Sequence, residues 1–211
     1  EIFYGMRVNT LSELHLDALV EVFNVGAGRA AASLSEIVGD EVRLSVPSIE
    51  IKKSSEADAS VLELNSAKFG VVSQNFSGPF EAQALLLFTE SHALEIVRDM
   101  MGSQMSIEEI AEFEQEAMCE LGNIILNACL SAMADMLSIS LDSSLPNYKI
   151  ASVEDIFAGL NQSEDQPYLL LLHIDLAIEK RHSEGHLIFL LSSMSLKNLV
   201  IQIERFLGTI E

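Results

Sequence analysis

An α+β fold made of two copies of one unit is predicted by three observations: a spacing that recurs at a fixed offset, the same order of helical and strand-like periodicity in each half, and the lack of a linker between halves. Glu21, Asn24 and Pro47 reappear as Glu120, Asn123 and Pro146, each displaced by 99 residues. With 23 Glu and 9 Asn in 211 residues, random order gives about one Glu-x-x-Asn. A proline at the matching distance is rarer still, since the chain has four. The expected architecture is a pseudo-two-fold repeat of helix-plus-antiparallel-strands units sharing one long sheet. It forms a single domain over residues 1–211, with repeats at about 10–102 and 106–207.

The first unit opens with apolar residues at helical intervals, Leu11, Leu14, Ala18, Val22, Val25, Ala32, Leu34 and Val38, with Thr10 or Ser12 as cap. Gly39-Asp40 ends the helix, and Val42, Leu44 and Val46 then alternate as a strand that resumes at Ile49 and Ile51 beyond Pro47. Strands follow at Val61–Leu64, Phe69–Phe76 and Phe80–Phe88, the last two joined by a turn at Ser77-Gly78-Pro79. They are expected to form an antiparallel meander. A helix from about Ser91 to Met101, with Gly102 as C-cap, closes the half.

The second unit starts over at Ser106, which with Glu109 makes a capping box for a helix running to about Leu137. Strands are expected near Ile139–Leu141, Tyr148–Val153, Leu169–Ile178 and His186–Leu191, a loop at Asn161–Pro167, and a last helix at about Leu196–Phe206.

Thirty-two acidic against twelve basic residues give a formal charge of −20, which repels nucleic acid and anionic membrane and favours basic patches on protein partners. No secretory leader pattern and no apolar run of bilayer-spanning length is read, so a cytoplasmic location is expected. Cys119 and Cys129 lie about 15 Å apart along one helix, too far for a disulfide, and read as reduced core residues.

On a helix, Asp17, Glu21, Asn24 and Gly28 share one face, expected to be solvent-facing, while Leu14, Ala18, Val22 and Val25 form the buried stripe. The second copy offers Glu116, Glu120, Asn123 and Asn127 beside Ala117, Leu121, Ile124 and Ala128. A carboxamide cannot abstract a proton, but it donates and accepts hydrogen bonds and so can hold a water at a fixed angle to an electrophile. The neighbouring glutamate suits a partner's lysine. Gly26 and Gly28, costly inside a helix, would let another backbone approach Asn24.

These residues resemble the CheC/CheX/FliY phosphatases of bacterial chemotaxis, whose pattern is Asp or Ser, three residues, Glu, two residues, Asn, twenty-two residues, Pro. Asp17, Glu21, Asn24 and Pro47 fit it throughout; the second copy has Glu116 in place of Asp or Ser. Asn24-Val25-Gly26-Ala27-Gly28 and Leu121-Gly122-Asn123-Ile124 also look like CheC, and two sites point to CheC rather than single-site CheX. The resemblance implies hydrolysis of the aspartyl phosphate of a CheY-type response regulator. Asn24 and Asn123 would orient the attacking water, and Glu21 and Glu120 would engage the regulator's lysine. The implied Mg²⁺ comes with the regulator and no cofactor of its own is expected. The glutamine deamidase CheD is a further partner that the family implies and no residue here decides.

Two rival readings stand beside it. One is a non-catalytic module, an adaptor or flagellar switch component that captures the regulator. The other is a metalloprotein using His173, His182 and His186, disfavoured because Ser183-Glu184-Gly185 reads as a hairpin turn whose histidines are surface residues. Cys119 lacks a basic neighbour and makes a poor nucleophile. The methionines are expected to fill the core.

Overall fold

The computed structural model describes residues 11–208 except 59, 61–67, 103, 162–164, 166 and 180. The expected strand Val61–Leu64, the alternative cap Thr10 and most of the Asn161–Pro167 loop lie outside the described residues.

Helix α1 (Glu13–Val38) begins at Ser12, whose hydroxyl accepts from the His15 amide while the His15 ring accepts from the Ser12 amide. It ends at Gly39, which takes the left-handed conformation, φ 80°, that closes a helix without Cβ strain. Strands β1 (Val42–Ser45) and β2 (Ile49–Lys53) flank Pro47, and a short 3₁₀ turn (Ser54–Glu56) follows. Strands β3 (Lys68–Ser77) and β4 (Ala82–Thr89) lead into α2 (Glu90–Met101), capped by Thr89.

Helix α3 (Ile107–Leu137) carries the expected capping box between Ser106 and Glu109. It is followed by β5 (Asp142–Ser143), β6 (Asn147–Ser152), α4 (Val153–Asn161), β7 (Tyr168–Ile178), β8 (Arg181–Leu191) and α5 (Ser193–Phe206). In place of the strand expected at Ile139–Leu141 there is the two-residue β5, directly after it. Helix α4 was not expected. Its spacing of Val153, Ile156, Phe157 and Leu160, with Ser152 accepting from the Asp155 amide at 3.1 Å, is a short helical signature.

The eight strands form one antiparallel sheet in the order β1-β7-β8-β4-β3-β5, with β2 also on β7 and β6 also on β3. The β3–β4 hairpin forms as expected, but the meander does not continue. Instead β1 and β2 of the first half pair with β7 of the second, β5 and β6 pair with β3, and β4 meets β8 at the centre. The pseudo-two-fold unit therefore exchanges its edge strands. Alternation alone sets which face a side chain takes and leaves open which strand lies beside it.

Leu170, Leu172, Ile174, Leu176 and Ile178 point to the face covered by α1, α2, α3 and α5; Leu169 and Leu171 point to the other, covered by Ile156, Phe157 and Leu160 of α4. Two glycines set the helices onto this frame. A Cβ at Gly26 would lie 2.5 Å from Cys129 Cα, so Gly26 lets α1 and α3 cross closely. A Cβ at Gly122 would lie 2.3 Å from Val72 Cγ1, so α3 rests directly on β3 one residue before Asn123. Arg29 ties the two helices from outside, 2.8 Å from Asp135. Met118 and Met133 are core residues as expected, whereas Met101 and Met194 are exposed.

One helical segment, Glu108–Leu137, has the length and mean hydropathy, 1.4, to cross a bilayer, contrary to the expectation that no run is long enough. In the fold its apolar residues, among them Met118, Leu121, Ile125 and Leu126, join the core beneath α1.

Candidate active site

The α1 stripe Asp17, Glu21 and Gly28 is exposed as expected, with Asn24 half-buried among them. The opposite stripe needs correction. Leu14 and Val25 are exposed, 56% and 39%, and the buried residues are Ala18, Leu19, Val22, Phe23, Ala27 and Ala30. Burial has turned by about one position because two partners, α3 and the sheet, share the apolar side and widen it. On α3, Glu116 and Glu120 are exposed, Asn123 and Asn127 are half-buried, and Ala117 and Leu121 lie inside.

The two carboxamides are held differently. Asn24 Nδ2 donates to Val20 O and to Val46 O, and Asn24 Oδ1 accepts from the Val46 amide, all at 2.9 Å. Both donor hydrogens and one oxygen lone pair are thus engaged, and the chain just before Pro47 is clasped to α1. In the second copy Asn123 Oδ1 accepts from Asn127 Nδ2 at 2.7 Å, and among the described residues its side chain has no other partner. Both Asn123 amide hydrogens and an oxygen lone pair stay available.

The backbone beside each site follows suit. Val46 is 2% exposed, whereas its counterpart Leu145 is 90% exposed. Pro146 is still held near α3, its carbonyl accepting a weak contact from Cys119 Sγ at 3.9 Å. The sequence marks the second copy as different at Glu116, Asn127 and Ala128, but not in how the amides are held: the clasp on Asn24 comes from Val46, twenty-two residues away.

The backbone that Gly26 admits is that of α3 at Cys129, not a partner's. At Gly28 a Cβ would meet nothing within 4 Å, so that position is open. Both cysteines are free, and burial pushes the Cys119 thiol up and the Cys129 thiol up to about 12, so neither supplies a thiolate nucleophile. Tyr148 donates to Glu114, linking β6 to α3 near Glu120, and burial followed by Glu114 raises its phenol.

His182 is exposed as expected, but His186 is buried. Ser183-Glu184-Gly185 lies within β8, and the chain turns earlier, at Glu179, whose φ is 54°. Gly185 is needed there because a Cβ would lie 2.6 Å from Phe88 Cε1. His173 and His186 are therefore cross-strand partners with ring centroids 4.8 Å apart. They line a cavity of about 330 Å³ with Pro47, Ser48, Glu50 and Glu184. Among the described residues no group of three His, Cys, Asp or Glu side chains is placed to hold a metal ion.

The fold and its helices define a class: a doubled α+β protein presenting a Glu-x-x-Asn pair from each of two helices packed on one side of a shared sheet. No protein-family model matches the chain. It is 26% identical over 147 residues to the CheY-P phosphatase CheC of Bacillus subtilis strain 168, covering 67% of this chain and 69% of that one. It is 23% identical over 174 residues to the flagellar motor switch phosphatase FliY of the same organism, covering 82% of this chain and 45% of that relative's length. The crystal structure of Thermotoga maritima FliY superposes with a TM-score of 0.77 at 20% identity, covering 93% of this chain and 99% of that one. The Helicobacter pylori FliM middle domain superposes at 0.57 and 12% identity, covering 91% and 99%. In sequence and fold the chain is similar to proteins of the CheC/CheX/FliY family.

Proposed function

We propose that this protein is a phosphatase acting on the aspartyl phosphate of a CheY-type response regulator. The observation that carries the reading is Asn123: a carboxamide on a rigid helix, one turn from exposed Glu120, with both amide hydrogens and a lone pair unengaged. Phosphoryl transfer asks mainly for positioning and charge neutralisation, so one fixed amide added to a nearly complete regulator site suffices. Asn123 orients the attacking water in line with the leaving carboxylate. Glu120 accepts from the regulator's lysine, and the regulator brings the Mg²⁺ that neutralises the phosphoryl oxygens. The names of the curated relatives, CheY-P phosphatase and motor switch phosphatase, support the same chemistry.

Asn24 and Glu21 form the equivalent pair in the first copy, but releasing Asn24 means giving up three hydrogen bonds and exposing Val46 backbone groups. At about 1 kcal/mol net per bond, a release cost of at least about 2 kcal/mol lowers that site's occupancy roughly thirtyfold. The second copy therefore carries most of the turnover. For the first copy alone, the clasped amide favours a different reading, a docking element without catalysis.

The test is the decay of a phosphorylated CheY-type receiver with Mg²⁺, followed with and without the protein. Acceleration by wild type that disappears in Asn24→Ala/Asn123→Ala supports the phosphatase. Wild type that binds the phosphorylated receiver without accelerating its decay supports the docking module instead.

A further inference from the structure

Asn127 stands one helical turn beyond Asn123 and donates to its Oδ1 at 2.7 Å, at the short end of the N–H···O range. We propose that Asn127 is a positioning residue for the Asn123 carboxamide, replacing in the second copy the backbone clasp that holds Asn24 in the first. The inference rests on the phosphatase reading of the second copy.

On a helix an asparagine without partners samples about two χ1 wells and two amide orientations. A single productive arrangement is then about one-quarter of the population. The bond to Asn127 selects one arrangement: with the Asn127 NH₂ turned toward it, the end of Asn123 facing Asn127 is the oxygen, and the bond leaves the oxygen's second lone pair and both Asn123 amide hydrogens for a water. A group that orients a reactant has to be held itself.

The comparison between copies gives this weight. The position equivalent to Asn127 is Gly28, where a Cβ would meet nothing within 4 Å, so steric space does not decide what stands there. In the first copy Val46, buried at 2%, supplies the hold through its backbone; in the second Leu145 is 90% exposed, and the hold comes from a side chain. Only the second device leaves the amide hydrogens free. Asparagine is a poor helix former, and its use here, half-buried in mid-helix, is accounted for by this bond. Asn127 also borders a surface cavity of about 340 Å³ with Phe76, Ser131 and Ser140, so side chains of similar size fit without repacking the core.

The experiment measures kcat and KM on a phosphorylated CheY-type receiver with Mg²⁺, using the full chain and its Asn127→Ala, Asn127→Asp, Asn127→Gln and Asn123→Ala variants. The inference expects Asn127→Ala to lower kcat about fourfold with KM unchanged. Asn127→Asp lowers it further, since an ionised carboxylate accepts only and turns the Asn123 amide around. Lowering the pH toward the ordinary aspartate pKa of about 4 raises the ratio of Asn127→Asp to wild-type activity, because a protonated carboxyl donates again. Asn127→Gln keeps the donor and most of the turnover, and Asn127→Ala adds nothing to Asn123→Ala. The inference alone is overturned if Asn123→Ala loses activity while Asn127→Ala and Asn127→Asp match wild type, or if those two fall equally and in step with their melting temperatures. If Asn123→Ala itself matches wild type, the reading of the site fails and this inference with it.

Discussion

Asn24 and Asn123 occupy the same place in two copies of one unit, yet three hydrogen bonds fix the first and one orients the second. Asn24→Ala leaves the buried Val46 amide and carbonyl without partners and is expected to cost about 1–3 kcal/mol of stability. Urea unfolding checks this, and Asn123→Ala serves as the near-neutral comparison. A second prediction concerns His186, whose ring nitrogens have no hydrogen-bond partner among the described residues and which burial, then nearby His173, pushes from 6.5 to about 4. Because the folded pKa is the lower one, the unfolded chain binds the extra proton between these values. Stability is therefore full above about pH 6.5 and falls as pH drops toward 4, by on the order of 2 kcal/mol. Unfolding midpoints across that window should flatten in His186→Leu; an unchanged slope would show that other groups carry the acid sensitivity. At this scale the sequence allowed Glu21, Asn24, Glu120 and Asn123 to be picked out, because a doubled spacing survives without structural knowledge. It could not show how the two amides are held, since Val46 reaches Asn24 only through the fold.

Among the elements, helix boundaries were the most legible because their stop and start signals are local: Gly39 after α1, the Ser106–Glu109 box before α3, Gly102 after α2. Helix α4 and the early start of β8 were missed. The first is short, and Gly185 reads as a turn residue although its role is to admit the Phe88 ring. The two glycines of α1 make a paired prediction. Gly26→Ala forces Cβ against Cys129 and should destabilise by about 1–3 kcal/mol through overpacking. Gly28→Ala enters open space and should stabilise by roughly 0.5–1 kcal/mol from helix propensity. Thermal melts of the two variants should move in opposite directions; a Gly26→Ala melt that does not fall would mean that the helix crossing does not depend on Gly26.

For the whole molecule, the exchange of edge strands is what the sequence left unread. Strands β1 and β2 find their partner in β7, and β5 and β6 theirs in β3, so each half completes the other's sheet. Residues 1–102 produced alone are accordingly expected to lack cooperative folding by circular dichroism and to regain it when mixed with residues 103–211. A half that melts cooperatively by itself would contradict that dependence. The same exchange brings two helices with matching Glu-x-x-Asn pairs to one side of the sheet while letting the connections beside them differ, Val46 buried and Leu145 exposed. Unequal copies are thus a property of the connections, not of the Glu-x-x-Asn pairs. The most direct measurement is the rate at which Asn24→Ala and Asn123→Ala, each alone, dephosphorylate a CheY-type receiver in Mg²⁺. The account predicts that Asn123→Ala loses most of the wild-type acceleration and Asn24→Ala little of it. Equal losses, or a larger loss in Asn24→Ala, would contradict it.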